Sequence, residues 1–129
     1  MPADSSSSAP RVGYNNNTIV RYNISVNDGY RTWGNGSNFC PTFHLAGNIH
    51  NTWIYNNTIY TVAKPASVEK AFMESTHWEA WADETHIYNN IFYAADPSEF
   101  LMGSSKNNYF RNNLFSPNTV LPSGENPLL

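Results

Sequence analysis

The stretch NTWIYNNTIY, residues 51–60, returns as THIYNNIFY at 85–93 and as NYFRNNLF at 108–115. Each copy sets a pair of asparagines inside aromatic and β-branched text, where asparagine is a poor strand residue. Aligned on the second asparagine of each pair, the copies share Asn57, Asn90 and Asn113, and NNNTIVRYNIS at 15–25 adds a degenerate copy with Asn23 in the same place. Ten residues earlier stands a small residue every time: Gly13, Gly47, Ala80 and Gly103. Three residues earlier stands Val20, Ile54, Ile87 or Phe110. A register kept over every copy is the signature of a repeat architecture.

Each copy divides into three short strands, in the last copy FLMG, YFRN and LFS. The turns between them lack the Asn-Gly or Gly-Gly chemistry of two-residue hairpins. Each strand therefore pairs with its equivalent one repeat away, in parallel sheets whose strands lie about 4.8 Å apart. That is a parallel β-helix, a solenoid in which each rung buries its interior against the next. One asparagine per rung then forms a ladder of side-chain amides, each donating to one neighbour and accepting from the other. Loss of Asn57 or Asn90 should destabilise the stack, and loss of Asn113, nearer its end, should do so more mildly.

Bulk composition fits one domain. The chain has 129 residues, 13% charged, with net charge −3 and 19 asparagines. Seven Lys and Arg scattered without a basic stripe argue against nucleic acid as a partner. No apolar run is long enough to cross a membrane. The opening MPADSSSSAP lacks the basic start and apolar stretch of a signal peptide and reads as a flexible leader over 1–10. The β-helix domain is expected over 11–116, with a tail or cap over 117–129. A single cysteine, Cys40, excludes an intramolecular disulfide and a multi-cysteine zinc site. The Asn-, Thr- and Tyr-rich, weakly charged chain suits an extracellular protein that meets neutral or weakly charged polymers.

The repeat resembles those of the right-handed parallel β-helices of the pectate-lyase-like superfamily, in which I-Y-N-N-T-I-Y text recurs rung after rung. The resemblance covers about residues 11–115. It implies an all-β, right-handed parallel β-helix of about four rungs with two loop insertions on one side. The superfamily includes lyases, hydrolases, epimerases, tailspikes and adhesins, so the likeness speaks to fold more than to activity. The clustered aspartates of similar polygalacturonases are absent, as are the acidic calcium cluster and paired basic residues of similar pectate lyases.

Two insertions, VNDGYRTWGNGSNFCP before Thr42 and TVAKPASVEKAFMES before Thr76, fall at one place in the repeat and so emerge on one side. Insertions on one face usually mark the binding face. SVEKAFMES could form a short helix with Val68, Ala71 and Phe72 facing in. Beside the insertions the first strands read TFHLAG, STHWEA and SEFLMG. Alternation turns Leu45, Trp78 and Leu101 inward and stacks His44, His77 and Phe100 outward, with Ala46, Glu79 and Met102 as a second outward row. The resemblance places a substrate groove on this same strand.

His44, His77 and Glu79 admit three readings: general acid and base for polysaccharide lyase or hydrolase chemistry, ligands of a divalent ion, or plain surface polar residues. A glycoside hydrolase would need a carboxylate pair that this strand does not supply. Asp28, Tyr30, Arg31 and Trp33 on the first insertion and Trp81 beside the second are candidate substrate contacts, the aromatics as sugar platforms. Arg21, Tyr55, Tyr88 and Arg111 form an outward stripe on the second strands that reads as a solvated sheet face. The chain is thus expected to be a secreted or cell-surface β-helix module that acts on or binds a polysaccharide, with lyase or glycoside-hydrolase-like chemistry favoured, or else a non-catalytic carbohydrate-binding or cell-surface structural module, as part of a longer β-helix or alone. No metal or cofactor is called for, and open solenoid ends suggest homo-oligomers by end stacking.

Overall fold

Three sheets built from successive copies of the repeat carry the structure. The computed structural model describes residues 15–29 and 39–123. Its strands are β1 (Asn15–Asn16), β2 (Ile19–Arg21), β3 (Ile24–Val26), β4 (Phe43–Ala46), β5 (Ile49–Tyr55) and β6 (Thr58–Thr61). They continue with β7 (Ala71–Thr76), β8 (Asp83–Tyr88), β9 (Ile91–Ala94), β10 (Glu99–Leu101), β11 (Lys106–Arg111) and β12 (Leu114–Phe115). The first sheet runs β10-β7-β4, and the third runs β12-β9-β6-β3. The second runs β1-β5-β8-β11, with β2 also on β5. Every pairing within the sheets is parallel. The described residues contain no helix, and the arrangement is that of an all-β parallel solenoid.

Pairing with the next copy rather than with the sequence neighbour stacks like on like. Val20, Ile54, Ile87 and Phe110 fall in one inward row of the second sheet. Ile59, Phe92 and Phe115 do so in the third. Phe43, Met73 and Phe100 form the matching row of the first. Together they make one continuous core. Parallel strands with an apolar row on one face and polar neighbours on the other fix their register, since a one-residue slip would turn the whole row outward.

The asparagine pair has two jobs. The first member turns the chain: Asn56, Asn89 and Asn112 have φ of 55°, 53° and 55°, the left-handed region that asparagine tolerates best after glycine. The second member forms the ladder. Asn23 Nδ2 donates to Asn57 Oδ1 (2.9 Å), Asn57 Nδ2 to Asn90 Oδ1 (3.0 Å) and Asn90 Nδ2 to Asn113 Oδ1 (3.0 Å). The backbone N–H groups of Asn23, Asn57 and Asn90 donate to the same three oxygens. Each amide also donates to a carbonyl of the strand it follows or of the adjoining rung, as Asn90 does to Ile54 O. In the degenerate copy Tyr22 takes the turning position, at φ 57°.

The first sheet departs from expectation. SVEKAFMES forms no helix; its second half is β7, with Ala71, Phe72, Met73 and Ser75 all buried. Four buried side chains among five consecutive residues suit a strand covered on both faces better than one apolar stripe of a helix. Parallel pairing to β4 and β10 then outweighs local helix propensity. Trp78, expected inward, is 68% exposed, and Phe100, expected outward, packs against Phe72, Phe92 and Phe110. Leu45 points inward as expected.

Candidate functional site

The shift in β7 changes the first-sheet face. His44 lies opposite Glu74, and Ala46 opposite Thr76, so His77 and Glu79 fall beyond the end of the strand. There Trp78 and Ala80 form an isolated antiparallel bridge, and Glu79 adopts φ 70°. His44 Nε2 is 2.8 Å from Thr76 Oγ1, and its ring meets the edge of Phe39 at 4.7 Å. His77 packs instead on Trp81, with ring centroids 5.7 Å apart. The stack of His44 on His77 expected from alternation is therefore not formed. Trp81 is wedged at a corner: a Cβ on Gly103 would stand 2.2 Å from its ring. Asp28 is exposed just after β3, and Tyr30, Arg31 and Trp33 lie outside the described residues.

What stands near His44 is a pair of carboxyl groups. Glu69, from the second insertion, neighbours Glu74, and Glu69 Oε1 and Glu74 Oε2 are buried with no hydrogen-bond partner among the described residues. Two neighbouring carboxylates repel each other, which favours keeping a proton on one of them. Burial first, and then the charge of Glu74, push the Glu69 carboxyl up to about 7; Lys64 opposes the shift and Glu99 adds to it. Lys64 reaches across to donate to Cys40 O (2.9 Å), tying the second insertion to the end of the first.

The open concave surface lies on the second sheet. Its outer face carries two rows of rings along the solenoid axis. Trp53 stacks on His86 (4.0 Å between centroids, 15° between planes), and His86 stacks on Tyr109 (5.0 Å, 18°). Tyr55 stacks on Tyr88 (4.7 Å, 12°), and Arg21 Nη1 donates to Tyr55 Oη (3.0 Å). Arg111 lies over the edge row, its guanidinium 5.9 Å from the Tyr109 ring centre. Between and beside the rows runs a groove of about 540 Å³ lined by Trp53, Glu84, His86, Tyr88, Asn89, Tyr109, Arg111 and Asn112. Glu84 Oε2 is 3.1 Å from His50 Nε2, and Glu84 Oε1 is 3.5 Å from His86 Nε2.

This arrangement follows from the repeat. Trp53, His86 and Tyr109 each stand four residues before a ladder asparagine, and Tyr55 and Tyr88 two before. Parallel in-register pairing must therefore stack them. Their aromatic identity at one repeat position was the available signal, and the outward stripe of Arg21, Tyr55, Tyr88 and Arg111 read from the sequence did not include Trp53, His86 and Tyr109. Chemically, the groove offers rigid aromatic walls, phenol hydroxyls, asparagine amides, one carboxylate and one guanidinium. Such a mixture has the chemistry to bind a polyhydroxylated ligand by van der Waals contact and directed hydrogen bonds. Among the described residues no cluster of His, Cys, Asp and Glu has the geometry to hold a metal ion. No protein-family model matches the chain, and no curated protein or solved structure matches it significantly.

Proposed function

We propose that this chain is a carbohydrate-binding module that works outside the cell and holds a polysaccharide along the groove of its second sheet. In this proposal the solenoid is a right-handed parallel β-helix of about four rungs, similar to the pectate-lyase-like superfamily. The observation that carries it is the Trp53–His86–Tyr109 row set beside Tyr88, Arg111 and two turn asparagines in one groove. Rings locked by mutual stacking lose little freedom when a ligand arrives, so a modest contact area can still give useful affinity. The row repeats once per rung, at about 4.8 Å, and a glycan lying parallel to the axis meets the same chemistry with each step. Binding without catalysis is the better supported role, because His44 and His77 turn to different partners, Thr76 and Trp81, and Glu69 Oε1 and Glu74 Oε2 are buried.

The test is titration of the chain with soluble oligosaccharides and polysaccharides, followed by calorimetry and by tryptophan fluorescence. Binding is expected, and Tyr109→Ala and Arg111→Ala should each weaken it by roughly tenfold, the effect of losing one good contact. Both positions are exposed enough for the melting temperature to stay close to the parent's. Retention of full affinity by both variants would move the site elsewhere. Release of unsaturated or reducing ends from a polysaccharide panel would make the protein an enzyme after all.

A further inference from the structure

A second left-handed position recurs in the second sheet, inside the long strands β5, β8 and β11 and between β1 and β2. Asn17, Asn51, Glu84 and Asn107 have φ of 60°, 54°, 58° and 53°. They are equivalent, since His50 pairs with Asp83 and Asp83 with Lys106 just before them. Asparagine accepts this backbone at small cost, whereas glutamate does not. The three asparagines use their side chains to tie the turns down. Asn51 Nδ2 donates to Asn17 Oδ1 (2.6 Å), Trp53 Nε1 donates to Asn51 Oδ1 (2.6 Å), and Asn107 Nδ2 donates to Asp83 Oδ1 (2.7 Å). Glu84 breaks the series. Its carboxylate turns toward the groove, held between His50 and His86, and its side chain stays 39% exposed.

A residue that violates the local rule at one rung, beside a ligand-sized groove, is the kind of strain that functional sites retain. We propose that Glu84 sets the ligand class of the groove: its carboxylate accepts hydrogen bonds from the hydroxyls of a neutral glycan and turns away chains of uronic acids. This rests on the groove being the polysaccharide site. An ionised carboxylate is acceptor-only, with room for two hydroxyl donors from one sugar ring, and such charge-assisted bonds are stronger than neutral ones. His50 Nε2 and His86 Nε2 flank it at 3.1 and 3.5 Å. A uronate would bring a like charge beside Glu84 in a chain of net charge −3, while Arg111 offers its guanidinium at the Tyr109 side of the same groove. Repulsion at one named residue is an efficient route to selectivity.

The experiment is calorimetric titration of the full chain, Glu84→Asn and Glu84→Gln. The ligands are neutral gluco-, manno- and xylo-oligosaccharides and an oligogalacturonate of equal length. Glu84→Asn installs the residue that the other rungs use at this turn, so it should melt at or above the parent temperature. The parent should prefer a neutral ligand. Glu84→Asn should weaken that binding by roughly tenfold or more, the loss of a charge-assisted hydrogen bond, and narrow the preference over the uronate. Glu84→Gln, which keeps length and one acceptor oxygen, should narrow the preference with a smaller loss of neutral binding. Neutral affinity unchanged in Glu84→Asn, or a parent that prefers oligogalacturonate, overturns the role of Glu84 while leaving the groove as a binding site. A parent that binds none of these ligands overturns both.

Discussion

Asn90 donates to Ile54 O and Asn113 Oδ1 and accepts from both the backbone and the side-chain nitrogen of Asn57. It is 1% exposed, so none of these partners can turn to water when it is removed. Asn90→Ala should therefore cost roughly 1–3 kcal/mol, at the upper end because several groups are orphaned together. Nearness to the end of the stack does not soften the effect at Asn113, which is fully buried, accepts from Asn90 twice and donates to Ile87 O. Asn113→Ala should be as damaging as Asn90→Ala. Asn23 is exposed and starts the ladder, so Asn23→Ala should cost much less. Thermal melts of the three variants check the order, and equal melting temperatures for Asn23→Ala and Asn90→Ala would count against the ladder as a cooperative element.

At the scale of elements, the join between the second insertion and β7 depends on a proton. The Glu69 carboxyl is held up at about 7 from an ordinary 4.5, by burial first and by Glu74 next. A raised carboxyl favours the folded state below about 4.5, and that contribution is lost as pH rises through about 7. The opposite sign holds at Asp96, whose carboxylate is kept below its ordinary range by the backbone N–H of Lys64 and by Lys70 at 3.0 Å. Its contribution is present at neutral pH and is lost only in acid, below its ordinary 3.8. The chain should thus melt at a higher temperature near pH 5 than near pH 8, a difference that Glu69→Gln should largely remove. A parent whose melting temperature is flat over that interval would show that Glu69 and Glu74 do not share a proton. The groups facing the pair are Lys64, Glu99 and, across the strand, His44, with Lys70 and Asp96 beside them.

At the scale of the whole molecule, the rung formed by β1, β2 and β3 pairs on one side only among the described residues. It exposes Ile19, Tyr22, Ile24 and Val26, with Ile24 80% exposed. At the other end, residues after β12 fold back: Val120 N–H donates to Ser98 O (2.8 Å), and Pro122 and Ser123 line a cleft with Phe100 and Phe110. Leu121 does not plug that end, being 47% exposed, and Leu128 and Leu129 lie outside the described residues. Parallel strands with unsatisfied edges recruit further strands. Reversible self-association through the β1–β3 side is therefore the expected behaviour in solution. Ile19→Lys with Ile24→Lys should shift sedimentation toward monomer, because charge on an edge opposes pairing. A parent that sediments as monomer at tens of micromolar would show that the end is covered.

The parallel solenoid and its asparagine ladder were legible in the sequence, because both follow from a repeat whose like residues must meet once the strands pair in register. Val20, Ile54, Ile87 and Phe110 stack inward and Asn23, Asn57, Asn90 and Asn113 join end to end for that reason alone. The same logic holds the Trp53–His86–Tyr109 row, visible as spacing but without meaning until the face it occupies was known to be open. Where the repeat lapses, its guidance lapses too. Residues 62–82 contain no copy of the phrase, so local alternation had to choose the strand, and it chose STHWEA over the AFMEST that β7 uses. Only the tertiary structure could decide that, because the choice depends on which side chains fill the space between β4 and β10. Phe72 and Met73 fill it, and that leaves His77, Trp78 and Glu79 to the turn beyond.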